Sequence, residues 1–223
     1  MKRIASSALI LLVLAVAAPA AAQTRMGSTR PAQDRPGISA FGTYDWLSIT
    51  SSKTFDAVFG TSKTRAIGAG ADVVNIWKHV FLRVAASKTT MDGERVVVVD
   101  STVYKLGTKL SVQMQPTEAG AGWRFVSRGS RSRFTPYVGA TAVFLSYKET
   151  SDFADTGDNV SETFKGFGVF GGVDVKLTNQ IFAGGEAQYR SVNTTPAANS
   201  VAASFNEKDF GGVVLRVKLG VRF

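Results

Sequence analysis

Asp209-Phe210-Gly211-Gly212-Val213-Val214-Leu215-Arg216-Val217-Lys218-Leu219-Gly220-Val221-Arg222-Phe223, the last fifteen residues, decide how the chain is read. Val213, Leu215, Val217, Leu219, Val221 and Phe223 occupy every second position, with Arg216, Lys218 and Arg222 between the later ones. A strand sends alternate side chains to opposite faces, so the segment presents an apolar row on one side and three cations on the other. Helical spacing would scatter those cations around a cylinder. A strand with this pattern needs a partner along each edge, so the rest of the chain must close around it.

Composition bounds what that closure can be. Met1-Lys2-Arg3 precedes an apolar run from Ile4 to Ala18 broken only by Ser6 and Ser7, and Pro19-Ala20-Ala21-Ala22 forms a small-residue cleavage site. Residues 1–22 therefore read as a secretory signal peptide, and the polar residues 23–37 as a flexible periplasmic lead-in. Residues 38–223 form one domain. No later stretch has the length of a membrane-spanning helix. The chain has no cysteine, which excludes disulfides, zinc–thiolate sites and thiol nucleophiles. Its formal net charge of +9 is spread rather than clustered, so nucleic acid is not an expected partner.

The same alternation recurs upstream. Ala40, Gly42, Tyr44 and Trp46 oppose Ser39, Phe41, Thr43 and Asp45; Ile67, Ala69, Ala71 and Val73 oppose Gly68, Gly70 and Asp72. A third strand sets Val80, Leu82 and Val84 against Phe81 and Arg83. A fourth begins at Leu110, Val112 and Met114, passes Pro116, and continues through Ala119, Ala121, Trp123 and Phe125, with Glu118 and Arg124 opposite. The fifth, about Thr135 to Lys148, is apolar at both parities and its faces stay unassigned. The sixth sets Phe167, Val169, Val173 and Val175 against Phe170 and Asp174; the seventh sets Ile181, Ala183 and Ala187 against Glu186, Gln188 and Arg190. Long connections are expected after strands one, three, five and seven, and tight turns after two, four and six. Within the third connection, Asp92-Gly93 signals a turn and Val96–Val99 an arm projecting beyond the sheet. This is an all-β, eight-stranded antiparallel up-and-down barrel, with strands long enough for tilted membrane spans of ~9–11 residues.

Two arrangements share this period: a soluble carrier with the apolar row inward, and a membrane barrel with it outward. Mid-strand charges of both signs, at Asp72, Arg83, Glu118, Arg124, Asp174, Glu186, Arg216, Lys218 and Arg222, favour an ionic lumen. Arg216, Lys218 and Arg222 are expected to pair with Glu186, Asp174 and Glu118, because an unpartnered buried charge costs about 3–5 kcal/mol. Trp77, Trp123 and Phe125 near the turn end, and Tyr44, Trp46 and Tyr189 near the loop end, suggest two interfacial girdles.

With these residues in view, the mature chain resembles the small eight-stranded outer-membrane barrels of Gram-negative bacteria, of the OmpX, OmpW and OmpA membrane-domain kind. Gly120-Ala121-Gly122-Trp123-Arg124-Phe125 followed by Pro136-Tyr137-Val138-Gly139 is similar to a hairpin of generic barrel domains. In that family a terminal aromatic preceded by alternating apolar residues is read by the barrel-assembly machinery. Val217, Leu219, Val221 and Phe223 match it. The resemblance implies an outer-membrane location with periplasmic termini, and contact with outer-membrane lipid and lipopolysaccharide.

For function, the sequence supports a non-enzymatic barrel with a side-chain-filled lumen and four surface loops open to a ligand. The alternatives are a narrow channel for small hydrophobic molecules, as in OmpW-like relatives, and a lipid A-modifying enzyme. The enzyme reading lacks a base: the sole histidine, His79, falls at the turn end. Asp152, Asp155 and Asp158 lack calcium-loop spacing, and Gly166-x-Gly168 has no helix after it. No catalytic residue, cofactor or metal is assigned. Lys63, Arg65, Lys88, Lys148, Lys165 and Arg190 are expected as surface cations near the loop end, within reach of lipopolysaccharide phosphates.

Overall fold

Alternating apolar and polar residues build eight strands and one short helix in the computed structural model, which describes residues 36–99, 102–126, 133–151, 161–195, 202 and 205–223. They are β1 (Gly37–Ile49), α1 (Ser52–Phe59), β2 (Lys63–Val74), β3 (Val80–Val99), β4 (Thr102–Arg124), β5 (Phe134–Ser151), β6 (Ser161–Lys176), β7 (Ile181–Val192) and β8 (Gly212–Arg222). Each strand pairs antiparallel with its sequence neighbours, and β1 pairs with β8, closing the barrel. Closure removes the open edges that an eight-stranded sheet would otherwise expose.

The seam runs from Ser39↔Arg222 to Ile49↔Gly212, and the Phe223 amide donates to the Ile38 carbonyl at 2.8 Å. Gly212 sits where β8 begins, with φ of +143° and the Ser48 carbonyl oxygen 2.0 Å from where a Cβ would stand. A side chain fits neither the backbone conformation nor the space there. The short β2–β3 and β6–β7 turns share an end with β1's start and Phe223.

Three features depart from the sequence reading. The long connection after the third strand is not a loop: β3 and β4 run on as a ladder to Val99↔Thr102, with Val96–Val99 as its projecting arm, and Asp92-Gly93 is no turn but lies within the ladder, paired with Ser111 and Leu110. A register shift between Glu94 and Val96 absorbs the irregularity instead. The segment Thr50–Lys63 holds α1, a short amphipathic helix that buries Thr54, Phe55 and Val58. Along β4 the parity never changes: Leu110, Val112, Met114, Pro116, Glu118 and Arg124 all face inward. Ser111, Gln113, Gln115 and Thr117 are the outward residues at that level. Strand β5 resolves into an inward row of Thr135, Tyr137, Thr141, Val143 and Leu145 and an outward row of Val138, Ala140, Ala142 and Phe144.

The outer surface thus carries an apolar band along the strands. Exposed Ile67, Leu82, Val84, Val138, Phe144, Phe167, Val169, Leu215, Val217 and Leu219 form the band. Its loop-side edge is marked by outward Arg65, Lys88 and Lys165, the last paired in register with Phe144.

Candidate functional site in the barrel lumen

Eight strands enclose only enough room for side chains, so what fills the lumen determines what the barrel can do. Inward positions of β1, β2, β3, β4, β6, β7 and β8 bring carboxylates and cations to neighbouring heights. Buried charges are tolerated there only when paired and hydrogen-bonded.

Glu186 on β7 is the hub. One of its oxygens accepts from Arg83 Nη1 on the far wall and from the Tyr137 hydroxyl at 2.9 Å; the other accepts from Arg216 Nη1 at 3.1 Å. Arg83 also grips Asp72 with two donors, at 2.7 and 2.9 Å, and Arg216 grips Asp45 likewise at 2.8 and 2.9 Å. Paired forks of this kind fix direction as well as charge. Glu118 takes Arg190 as its ion-pair partner, receives a bond from Gln188 at 3.0 Å, and lies 3.7 Å from Arg216. Toward the turn end Asp174 meets Lys218 at 2.8 Å, with Arg124 and Arg222 each at 3.8 Å.

Apolar layers lie on either side of the Glu186 hub, the lower one between it and the Asp174 cluster. Below, the Arg83 guanidinium is ringed by Phe41, Phe81, Tyr137 and Phe170, with its carbon 4.7 Å from the Phe170 ring centre, and Lys218 lies 4.2 Å from that of Tyr137. These cation–aromatic contacts work best out of water. The rings fit because inward glycines of adjacent strands leave them space: a Cβ at Gly70 would come within 2.6 Å of Phe41, and one at Gly122 within 2.5 Å of Phe81.

Above, Ile49, Val96, Leu110, Val112, Met114, Val143, Leu145 and Val192 meet Phe55 and Val58 of α1. Phe210 packs against Phe55, Tyr147 and Phe164 with ring centres 5.7 to 5.9 Å apart. The helix is held from the β7–β8 connection, where Glu207 accepts from the amides of Lys53 and Thr54 at 3.1 and 2.8 Å. A carboxylate at a helix N-terminus satisfies otherwise orphaned donors. Asp209 accepts from the amides of Val192 and Gly211 at 2.7 and 2.8 Å, fastening the other side of the cap. Between Arg190 and Phe210 remains a cavity of about 30 Å³.

Every charged residue expected in the lumen faces inward. Two more belong there: Asp45, on the polar row of β1, and Arg190, which is 3 % exposed and bound to Glu118. Arg190 is therefore not a surface cation, because β7 keeps it in phase with Glu186 and Gln188. The apolar row Leu110–Met114 is inward, contrary to a uniformly apolar exterior. Trp46, Trp77, Trp123, Phe125, Tyr189 and Phe223 are exposed on the outside, and Tyr44 stacks edge-on against Trp46 at 4.9 Å. His79 lies in the β2–β3 turn, 5.6 Å from the Trp123 ring. Asp152, Asp155 and Asp158 lie outside the described residues. Among the described residues no His, Asp or Glu cluster is arranged to hold a metal ion.

The family described as outer membrane protein beta-barrel domain matches residues 8–223. The chain belongs to that family. Its fold is similar to the outer membrane protein OprG from Pseudomonas aeruginosa, at 14% identity over 86% of this chain and 97% of that one, with a TM-score of 0.55. A major outer membrane protein from Thermus thermophilus aligns at 11% identity over 83% and 99% of the two chains, with a TM-score of 0.54. Neisserial surface protein A aligns at 13% identity over 84% and 95%, with a TM-score of 0.48. No curated protein matches the chain. At these identities the first two neighbours bear on the fold alone, and the family is that of an outer-membrane barrel.

Proposed function

We propose that this is a non-enzymatic outer-membrane barrel whose lumen is a structural plug and whose activity resides on its loop-end surfaces. The observation that carries the reading is the Glu186 hub: one carboxylate binds Arg83, Tyr137 and Arg216, so three walls converge on a point inside the barrel. The aromatic floor and the α1–Phe210 cap lie on either side of it. In this reading residues 1–22 are removed as a signal peptide, residues 23–37 lead in from the periplasm, and the turn end with both termini faces the periplasm. Trp77, Trp123 and Phe125 sit at the inner lipid boundary, and Tyr44, Trp46 and Tyr189 at the outer one. Lys63, Arg65, Lys88, Lys148 and Lys165 face lipopolysaccharide phosphates, and the barrel-assembly machinery reads Val217, Leu219, Val221 and Phe223. His79, packed on Trp123 at the turn end, is far from outer-leaflet lipid A, which supports a non-enzymatic role.

Reconstitution in planar bilayers tests the plug. No steady single-channel conductance is expected; ohmic, long-lived openings of the wild-type barrel would overturn it.

A second reading, a channel for small hydrophobic molecules, is favoured by the apolar cavity beneath Phe210, which reaches Leu47 and Val213 beside the β1–β8 seam. It requires accelerated uptake of an apolar probe into vesicles and a further rise for Phe210→Ala. Unchanged lipid A mass spectra from over-producing cells would dispose of the enzyme.

A further inference from the structure

Charge is not shared evenly along the lumen. Around Glu186 the cations Arg83, Arg190 and Arg216 meet four carboxylates, Asp45, Asp72, Glu118 and Glu186. Arg83 and Arg216 each close a two-donor fork there, at 2.7 to 2.9 Å. At the turn end the balance reverses. Arg124 of β4 and Lys218 and Arg222 of β8 share Asp174, which among the described residues is the one carboxylate within 4 Å of any of them. Lys218 takes one oxygen at 2.8 Å, and the two guanidinium groups stop 3.8 Å from the other, beyond hydrogen-bond reach. Arg124 Nη1 and Arg222 Nε are buried and donate to no group among the described residues. Both oxygens of Asp72, the next carboxylate up, are already taken by Arg83. Buried guanidinium groups are tolerated when their donors are engaged and their charge is matched. Here one negative charge serves three positive ones.

Asp174 and Arg222 line a cavity of about 30 Å³ together with Thr135, Lys176, Gln180 and Phe182. That is roughly twice the 10–15 Å³ that a single water needs. The cavity opens beside the β6–β7 turn, where Thr178, Asn179 and Gln180 are exposed. Lys176, in phase with Asp174 on β6, adds a fourth cation to the wall, and the Phe182 ring supports the Arg222 guanidinium at 5.4 Å. We propose that this turn-end mouth of the lumen binds one small free oxyanion of the phosphate or sulfate kind, held by Arg222 and Lys176 with Arg124 behind them. Its charge completes the pairing that Asp174 leaves unfinished, and arginine forks suit its oxygens. A cation or a neutral guest would gain nothing from such a wall. A free anion fits better than a lipid headgroup, because Thr135, Asp174 and Arg222 belong to the lumen-facing rows. The site stands on the closed lumen alone and goes beyond the plug, since it gives the turn end a ligand.

Equilibrium dialysis of radiolabelled inorganic phosphate tests the site, with the protein refolded in an uncharged detergent at constant ionic strength. Saturable binding of one phosphate per barrel is expected. Arg222→Gln should weaken it at least about tenfold, the loss that goes with one hydrogen bond to a charged group. Lys63→Gln with Arg65→Gln, at the loop end, should leave it unchanged. Asp174→Asn removes the competing carboxylate and should tighten binding severalfold; unchanged or weaker binding there counts against the site. Mobility of the unheated protein on gels reports folding separately, and Lys176→Gln at the rim repeats the test should Arg222→Gln fail to fold. Binding that never saturates, or that Arg222→Gln leaves intact, would mean an adventitious ion only and overturn the proposal. Phosphate that binds in detergent and is displaced in phosphatidylglycerol vesicles would assign the site to a lipid headgroup and overturn the free anion.

Discussion

Glu186 and Arg83 lie on opposite walls of the barrel and are joined through one carboxylate oxygen, while the other oxygen of Glu186 is committed to Arg216. Both cations keep a second anchor, Asp72 and Asp45 respectively. Removing the charge of Glu186 therefore leaves two guanidinium groups half-satisfied rather than free. Glu186→Gln is expected to destabilise the folded barrel by about 3 kcal/mol, the lower end of the 3–5 kcal/mol associated with broken buried pairs. The urea midpoint in lipid vesicles measures it. A change below about 0.5 kcal/mol would show that Asp72 and Asp45 carry the network without the hub.

The aromatic floor depends on missing side chains. Gly122 faces Phe81, whose ring atoms lie 2.5 Å from where a Cβ would stand. Gly122→Ala should cost about 1–3 kcal/mol through overpacking. Phe81→Leu in the Gly122→Ala background should cost less than in the wild type, so a double-mutant cycle reads a non-zero coupling. Additive effects would place the clash with the Val138 backbone instead.

The cap on the lumen is held by a carboxylate from a different connection. Glu207→Gln removes the charge that accepts from the first amides of α1 and is expected to weaken the helix by about 1 kcal/mol. Hydrogen exchange of the α1 amides should rise about fivefold, with exchange in β1, β7 and β8 unchanged. Faster exchange throughout the barrel would mean that the cap and the wall unfold together.

The chain end provides a test in cells. Deleting Phe223 removes the outward aromatic and the amide bonded to Ile38. The amount of protein inserted in the outer membrane should fall severalfold, and Phe223→Tyr should restore it. Equal insertion of the deleted form would separate Phe223 from assembly.

Much of this architecture is legible as two-residue alternation. Strands β1, β2, β3, β6, β7 and β8 take the faces their sequences announce, including Arg216 and Lys218 inward against Val217 and Leu219 outward. Parity alone would also have found Asp45 and Arg190; proximity to the loop end concealed the second. Alternation does not say at what height the surroundings change from hydrocarbon to water. At Leu110–Met114 the apolar row turns inward because α1 and Phe210 close the lumen there, while the outside is already polar at Ser111, Gln113 and Gln115. Asp92-Gly93 has the composition of a turn, yet pairing with β4 and contact with α1 hold it extended. Arg216 is the register partner of Glu186 on the adjacent strand β8, but Arg83 and Tyr137 reach it from β3 and β5, a closeness that only the closed barrel creates.

Hydrocarbon outside and ions within is the central claim, and fluorescence quenching tests it most directly. Leu219→Cys and Ser111→Cys, each carrying a small environment-sensitive fluorophore, are reconstituted in vesicles whose acyl chains are brominated. The label at 219 should be strongly quenched by bromine and shielded from aqueous iodide, and the label at 111 should behave in the opposite way. Quenching of the 219 label by iodide, with bromine without effect, would contradict the account.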